Sequence, residues 1–354
     1  LSGGPVMFGV TAIDRDGNLY VSQWGAAHCV AVFDPKGNPI RTIGTPGGRP
    51  WSGAYDANGM LMPRGIDIDP QGRLWVAEYA NNPRRVSLWN AASGRFVREF
   101  VGGTTYGGAE GGLIDPANPH RAFSDGVWYE TDLAREGYRP LLTLRGRQSI
   151  DDCFAPLDMA SRGYFNIHHH QIINAANGRR YMVTVQYAGP IAIGELKPDY
   201  SWQPSVAIGH VRREMTPPVD KLRDRDRPWP AFFARHAGET YIWTDANGDG
   251  IPQEDEFQWR KGLPAIAAGW GTGAVDPAMN VYGGMGQVTR FAFQGWGANG
   301  IPRYDINESK TVATHGSQCD SVAVDAREWV FTLCQAERRG GVHSLSAFDP
   351  EGNR

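Results

Sequence analysis

RGIDIDPQGRLWVAEYANNPRRVSLWNAASGR, residues 64–95, is the stretch that decides the fold. Apolar and polar residues alternate in GIDID, stop at the turn Pro70-Gln71-Gly72, and resume in RLWVAEY. After a longer loop the alternation returns in RRVSLW. This is strand, tight turn, strand, loop, strand, with a period of two. The same unit stands upstream as FGVTAIDRDGNLYVSQWGAAHCVAVFDPKGN (residues 8–38) and near the end as DSVAVDAREWVFTLCQAERRGGVHSLSAFDPEGN (residues 320–353). Their turns, Asp16-Gly17-Asn18 and Asp325-Ala326-Arg327, put glycine or a small polar residue where a two-residue hairpin needs φ > 0. FDPKGN at Phe33 and FDPEGN at Phe348 are nearly the same string at the same place in their units.

Weaker copies begin near Gly111, His168, Pro230 and Gly271. Seven units of about 50 residues then fill the 354-residue chain, with six or eight as neighbouring counts. Such a series predicts an all-β fold, a β-propeller of four-stranded antiparallel blades around a central channel, occupying 1–354 as one domain. The last unit stops where the first continues into an outer strand, residues 39–44. Either the last blade closes with three strands or the protein extends past Arg354.

Composition narrows the function classes. The 41% hydrophobic content supports a large core, and 45 glycines with 24 prolines suit a turn-rich chain. A net charge of -3 argues against a nucleic-acid binder, which needs a basic surplus. No run approaches the roughly 20 apolar residues of a membrane span. The four cysteines, Cys29, Cys153, Cys319 and Cys334, form no CxxC pair, which excludes a zinc knuckle or a thioredoxin-type motif. Cys319 and Cys334 are spaced to sit on neighbouring strands of one hairpin, and buried free thiols fit equally well. GxSxG, P-loop, HExxH and GxGxxG motifs are absent from any convincing context, which disfavours the corresponding enzymes.

Residues 64–94, with Ile66-Asp67-Ile68-Asp69, a turn, Leu74-Trp75-Val76-Ala77-Glu78 and a later Arg85-Val86, resemble NHL-type propellers, whose pattern is apolar-Ala-apolar-Asp, turn, Leu-Tyr-Val-Ala-Asp and a later Arg-apolar. The first, second and last units carry the likeness. The resemblance implies a secreted protein, extracellular or periplasmic, in a superfamily that includes lyases, lactonases, hydrolases and pure binding modules. It implies fold and not reaction.

Two groups of residues carry chemistry. DANGDGIPQEDE, residues 245–256, matches a twelve-residue EF-type calcium loop: oxygen donors at Asp245, Asn247 and Asp249, glycine at position six, the Ile251 carbonyl, and Glu256 as a bidentate ligand. Its flanks read as strands, so calcium would brace a loop inserted in a blade. The second group lies at the channel rim, where the inner strands begin. Aligning the units places Arg64, His168, His170, Gln171, Trp270 and Asp320 there. His168 and His170 point the same way on a strand and serve as base, acid or ligands of a transition metal, with His28, His210, His236 or His315 as third ligand. Arg64 pairs with a carboxylate, Trp270 and Gln171 hold substrate, and Asp320 joins the catalytic group. Trp24, Trp51 and Trp75 suit stacking on sugar faces. The paired acids Asp151 and Asp152 suit acid/base work or a turn cap, and residues 211–230 form a polar insertion of lid length. The expectation is a propeller acting on or binding carbohydrate, as a polysaccharide lyase or glycoside hydrolase. The alternative is a non-catalytic ligand- or protein-binding module.

Overall fold

The turn at the head of four repeats is built around one aspartate, Asp14, Asp69, Asp276 or Asp325. Asp14 Oδ1 accepts the backbone N–H groups of Asp16 and Asn18, and its Oδ2 accepts the Asn18 amide and the Tyr20 hydroxyl. Asp69 does the same with the N–H groups of Gln71 and Arg73, the Arg73 guanidinium and the Trp75 indole. Asp276, with Asn280 and Tyr282, is a third copy. The residue three after each aspartate takes positive φ: Gly17 at 83°, Gly72 at 72°, Met279 at 71°, and Glu328 at 62° after Asp325. The loop closes by Asp14 N–H to the Asn18 carbonyl, with three residues between. It is therefore a three-residue turn with a left-handed last residue, not the two-residue turn expected. The side chain of the aspartate explains the difference, because it satisfies the two N–H groups that a longer loop would leave open.

The computed structural model describes residues 6–81, 83–102, 112–124, 126–132, 134–144, 170–185, 190–211, 231–250, 252–266, 273–284, 286–314, 319–335 and 343–354. They fall into two compact units, Leu1–Gly108 with Val127–Thr143, and Ala109–Gly126 with Leu144–Arg354. Among the described residues there are short 3-10 turns and no α-helix.

In the first unit, Val6–Ile13, Leu19–Gly25, Cys29–Phe33 and Pro39–Ile43 form one antiparallel meander in chain order, and Pro63–Ile68, Arg73–Asn81, Arg84–Asn90 and Phe96–Val101 form a second. Val127–Asp132 pairs with Gly137–Thr143, which pairs with the short Gly53–Ala54. Alternation puts Tyr20, Val30 and Val32 of the first meander in one core with Leu74, Val76 and Trp89 of the second. Each aliphatic side chain buried there is worth about 1.5–3 kcal/mol. The pairing of the first two strands shifts between Phe8 and Thr11, where the buried Ser22 hydroxyl takes the Val10 N–H and donates to the Val10 carbonyl. A Cβ on Gly9 would lie 2.3 Å from that hydroxyl, so only glycine fits.

In the second unit, Leu113–Asp115 and Asn118–Ser124 form a hairpin. His170–Asn174, Arg180–Val185, Ile191–Glu195, Val206–His210, Glu239–Thr244 and Phe257–Lys261 make a six-stranded sheet in chain order. Gly273–Val275, Val281–Gly283, Gln287–Phe291 and Lys310–Thr314 make a four-stranded one, and Cys319–Val324, Val330–Gln335 and His343–Phe348 a three-stranded one. The sequence units at His168 and Pro230 thus share one sheet, because Val206–His210 pairs directly with Glu239–Thr244. Phe293–Trp296 and Pro302–Tyr304 pair as a two-stranded sheet, so the described residues form seven sheets, of which the units at His168 and Pro230 make one. The last sheet has three strands.

Candidate functional site

Arg64 is exposed at the start of Pro63–Ile68, with its guanidinium carbon 4.3 Å from the Trp24 ring centre and 4.7 Å from that of Tyr79. Trp24 ends the strand Leu19–Gly25, and its register partner Met7 is 43% exposed. Tyr79 is 63% exposed. Rings that meet the face of a guanidinium hold it by cation–π attraction and leave its N–H edges outward. No described acid pairs with Arg64, so the inter-blade salt bridge that would make it merely structural is not formed among the described residues. The result is an exposed cation on an aromatic platform.

Beneath the platform lies a charged network that the sequence reading missed. Glu78, with its side chain fully buried, accepts Arg49 Nη1 at 2.5 Å, Arg85 Nη1 at 2.9 Å and the Leu61 N–H at 3.0 Å. Arg85 also pairs with Glu99 at 2.6 Å, and Glu99 accepts the Tyr55 hydroxyl at 2.8 Å. Burial works against the charge on Arg85, but Glu78, Tyr55 and Glu99 outweigh it and raise its pKa. Burial drives the Tyr55 phenol upward, so it stays a donor. The network fixes the neighbours of the platform: Glu78 precedes Tyr79, and the Tyr79 N–H is held by the Met62 carbonyl. One signal was readable. Alternation in RRVSLW places Arg85 on the same face as Ser87 and Trp89, and all three are buried.

The expected rim ring is only partly described. Arg64 belongs to the first unit, whereas His170, Gln171 and Asp320 belong to the second. His168 and Trp270 lie outside the described residues, as do Asp151, Asp152 and residues 212–230; of Asp320 only the backbone is described. His170 meets the Phe123 ring edge to face at 4.8 Å. Gln171 is engaged by backbone of a neighbouring sheet. Its amide donates to the Val275 carbonyl at 2.6 Å and accepts the Val275 N–H at 3.3 Å, tying two sheets of the unit together. The candidate third ligands have packing roles. His28 Nδ1 accepts the Met62 N–H, His210 bonds Thr240, and His236 stacks on Trp259 at 3.8 Å beside Glu239; His315 lies outside the described residues.

The 245–256 loop follows Glu239–Thr244 and leads into Phe257–Lys261, strands on both sides as expected. Asp245 is buried and accepts the N–H groups of Gly248 and Gly250. Burial pushes its carboxyl above the usual range against those two donors, and the neighbouring carboxylates of Glu256 and Asp249 push it further. Glu256 accepts the Trp243 indole and the Ala246 N–H. Asp249 takes the amides of Asn247 and Gln253. Ile251 lies outside the described residues. Among the described residues no three His, Cys, Asp or Glu side chains are gathered closely enough to hold a metal ion as they stand.

No family model and no curated protein sequence matches the chain. Among solved structures it is similar to a functionally unknown protein from Desulfotomaculum acetoxidans DSM 771, at 14% identity over 98% of this chain and 83% of that one, TM-score 0.35. It is similar to the Dos1 propeller at 10% identity (98% and 78% covered, TM-score 0.30) and to the C-terminal WD40 domain of Sif2 at 9% (99% and 83%, TM-score 0.30). No described helix is long and apolar enough to cross a membrane. The order of its own strands, successive antiparallel meanders laid down along the chain, marks the fold class as all-β, of the β-propeller type.

Proposed function

We propose that the chain binds acidic carbohydrate at the Arg64 platform. One observation carries this reading: an exposed arginine, without an acidic partner among the described residues, held over the rings of Trp24 and Tyr79. The guanidinium edge takes a uronate carboxylate, and the exposed face of Tyr79 takes the apolar face of a sugar ring. Calorimetry with a uronate oligosaccharide and its carboxyl-reduced counterpart tests it. Arg64→Ala should weaken the acidic ligand roughly 10- to 100-fold and leave the neutral one unchanged, as loss of one charged hydrogen-bonding partner predicts. Tyr79→Ala should weaken both. Equal binding of the two ligands to wild-type protein would end the proposal.

A lyase reading adds a base beside the carbon that bears the carboxylate. Turnover on uronate polymers would give an unsaturated product that absorbs in the ultraviolet. Loss of that signal in Arg64→Ala, at unchanged melting temperature, would support the lyase; no turnover on any glycan leaves a binding protein. An extracellular or periplasmic setting and the NHL-type likeness belong to the same proposal. The Asp-centred turns support that likeness.

We infer further that the 245–256 loop takes calcium. Its ligand order supports this, as does the crowding of Asp249 and Glu256 around a buried Asp245, whose charge a cation would relieve. Binding requires the Asn247 and Gln253 amides to release Asp249. The ion would brace the loop rather than take part in any reaction.

A further inference from the structure

Cys334, on the strand Val330–Gln335, is 1% exposed and carries a free thiol. Its register partner in the antiparallel pair with Cys319–Val324 is Cys319, of which the backbone is described and after which the pairing shifts, between Cys319 and Ser321. Residues directly opposite in antiparallel strands lie about 4.5–5.5 Å apart at Cα. Disulfides span about 4.4–6.8 Å between the same atoms. The middle strand is also paired along its whole length with His343–Phe348, Cys334 opposite Ser344, so Cys334 is held on its other side by a regular register. Cys29 makes the contrast. Its register partner is Gln23, whose amide oxygen accepts the thiol at 3.5 Å, and burial pushes that thiol up to about 11. Among the described residues no second cysteine is its register partner.

We propose that Cys319 and Cys334 are a cross-strand disulfide site, closed by exchange with an organic disulfide, either oxidised glutathione or a protein disulfide donor. The thiolate of one cysteine attacks the donor, forming a mixed disulfide and releasing one donor thiol. The thiolate of the other attacks the cysteine sulfur of that mixed disulfide, forming the S–S bond and releasing the second donor thiol. Two cysteine thiols are oxidised, one donor disulfide is reduced, and the two cysteine protons end on the released thiols. The bond pins the hairpin of the last sheet and stabilises the fold by restricting the unfolded chain. It needs an oxidising compartment and is independent of what the Arg64 platform binds.

The test is peptide mapping of chain recovered from an oxidising secretory compartment, alkylated at once and digested with trypsin without reduction. Cleavage after Lys310, Arg327 and Arg338 puts the two cysteines on separate peptides, residues 311–327 and 328–338. The expected result is one mass joining them, split by reductant, with the oxidised protein melting roughly 5 °C above the reduced one. Cys319→Ser should abolish both the joined mass and the melting difference. Alkylated Cys319 and Cys334 in the wild-type digest, or either one joined to Cys29 or Cys153, would overturn the proposal.

Discussion

Asp69 heads a three-residue turn and Asp245 a twelve-residue loop, and their proton affinities move in opposite directions. Partial desolvation works against the Asp69 charge, but the Trp75 indole, the Arg73 N–H and guanidinium and the Gln71 N–H outweigh it and hold the carboxyl at about 2. Asp245 meets only two N–H donors, and burial with Glu256 and Asp249 raises it. The first loop is complete in itself, because every oxygen has a donor. The second concentrates negative charge that its own donors do not offset. The difference separates an acidic turn that builds a repeat from an acidic loop suited to a cation.

Removing the aspartate should cost most where its donors have no access to water. Asp276 is 3% exposed and accepts the Asn280 N–H and amide and the Tyr282 hydroxyl. Asp276→Ala strands these buried donors and should lower unfolding free energy by about 3 kcal/mol in denaturant titration. Asp325→Ala, in the same turn at the surface, leaves donors that water can reach and should barely move the midpoint. Equal losses at both positions would mean that the turn acts through backbone shape and not through its carboxylate.

The loop should respond to calcium where the turns do not. Wild-type protein is expected to melt several degrees higher in excess calcium than in chelator, by the mass action of a ligand that binds only the folded loop. Trp243 reports locally, since its indole donates to Glu256 at 2.9 Å and its emission should shift as Glu256 turns to the ion. Asp249→Asn keeps an oxygen for the Asn247 and Gln253 amides but removes a charge. It should leave melting in chelator unchanged and shrink the calcium-induced rise. Asp69→Asn should leave that rise intact. Melting that is identical in calcium and chelator would make 245–256 an acidic turn like the rest.

Much of this was legible in the residues. Alternation with a period of two located the strands of the clearest units, and the Asp…Gly spacing located their turns. The loop length was misread because the capping role of Asp14 or Asp69 depends on donors four and six residues on. The merger of two units into one sheet was hidden because residues 212–230 separate two strands that pair directly. Arg64 was legible as a cation at a strand start. Its platform was not, because Trp24 and Tyr79 come from different strands whose approach no local pattern encodes. The bond of Gln171 to Val275 was hidden for the same reason, since the two are 104 residues apart.

Acid titration gives the smallest effect and the most direct comparison. The Asp69 carboxyl is depressed when folded, so its contribution is fully present above the unfolded value of about 3.9 and is lost as pH falls towards about 2. Asp14, Asp325 and Asp349 are lowered as well and act with the same sign. Asp245 is raised, so its sign is opposite: in chelator its contribution is present below the unfolded value and is lost as pH rises through the folded one. Between neutral pH and about 4, acid should therefore relieve the 245–256 loop while the turns are still unaffected. Carboxyl-carbon NMR titration in chelator should show the Asp245 midpoint above the ordinary aspartate value and the Asp69 midpoint near 2. Calcium should move the first down and leave the second in place, because a cation beside a carboxylate favours its charged form. An Asp245 midpoint that falls with that of Asp69 in chelator would erase the distinction between the two loops, and with it the electrostatic argument for the ion.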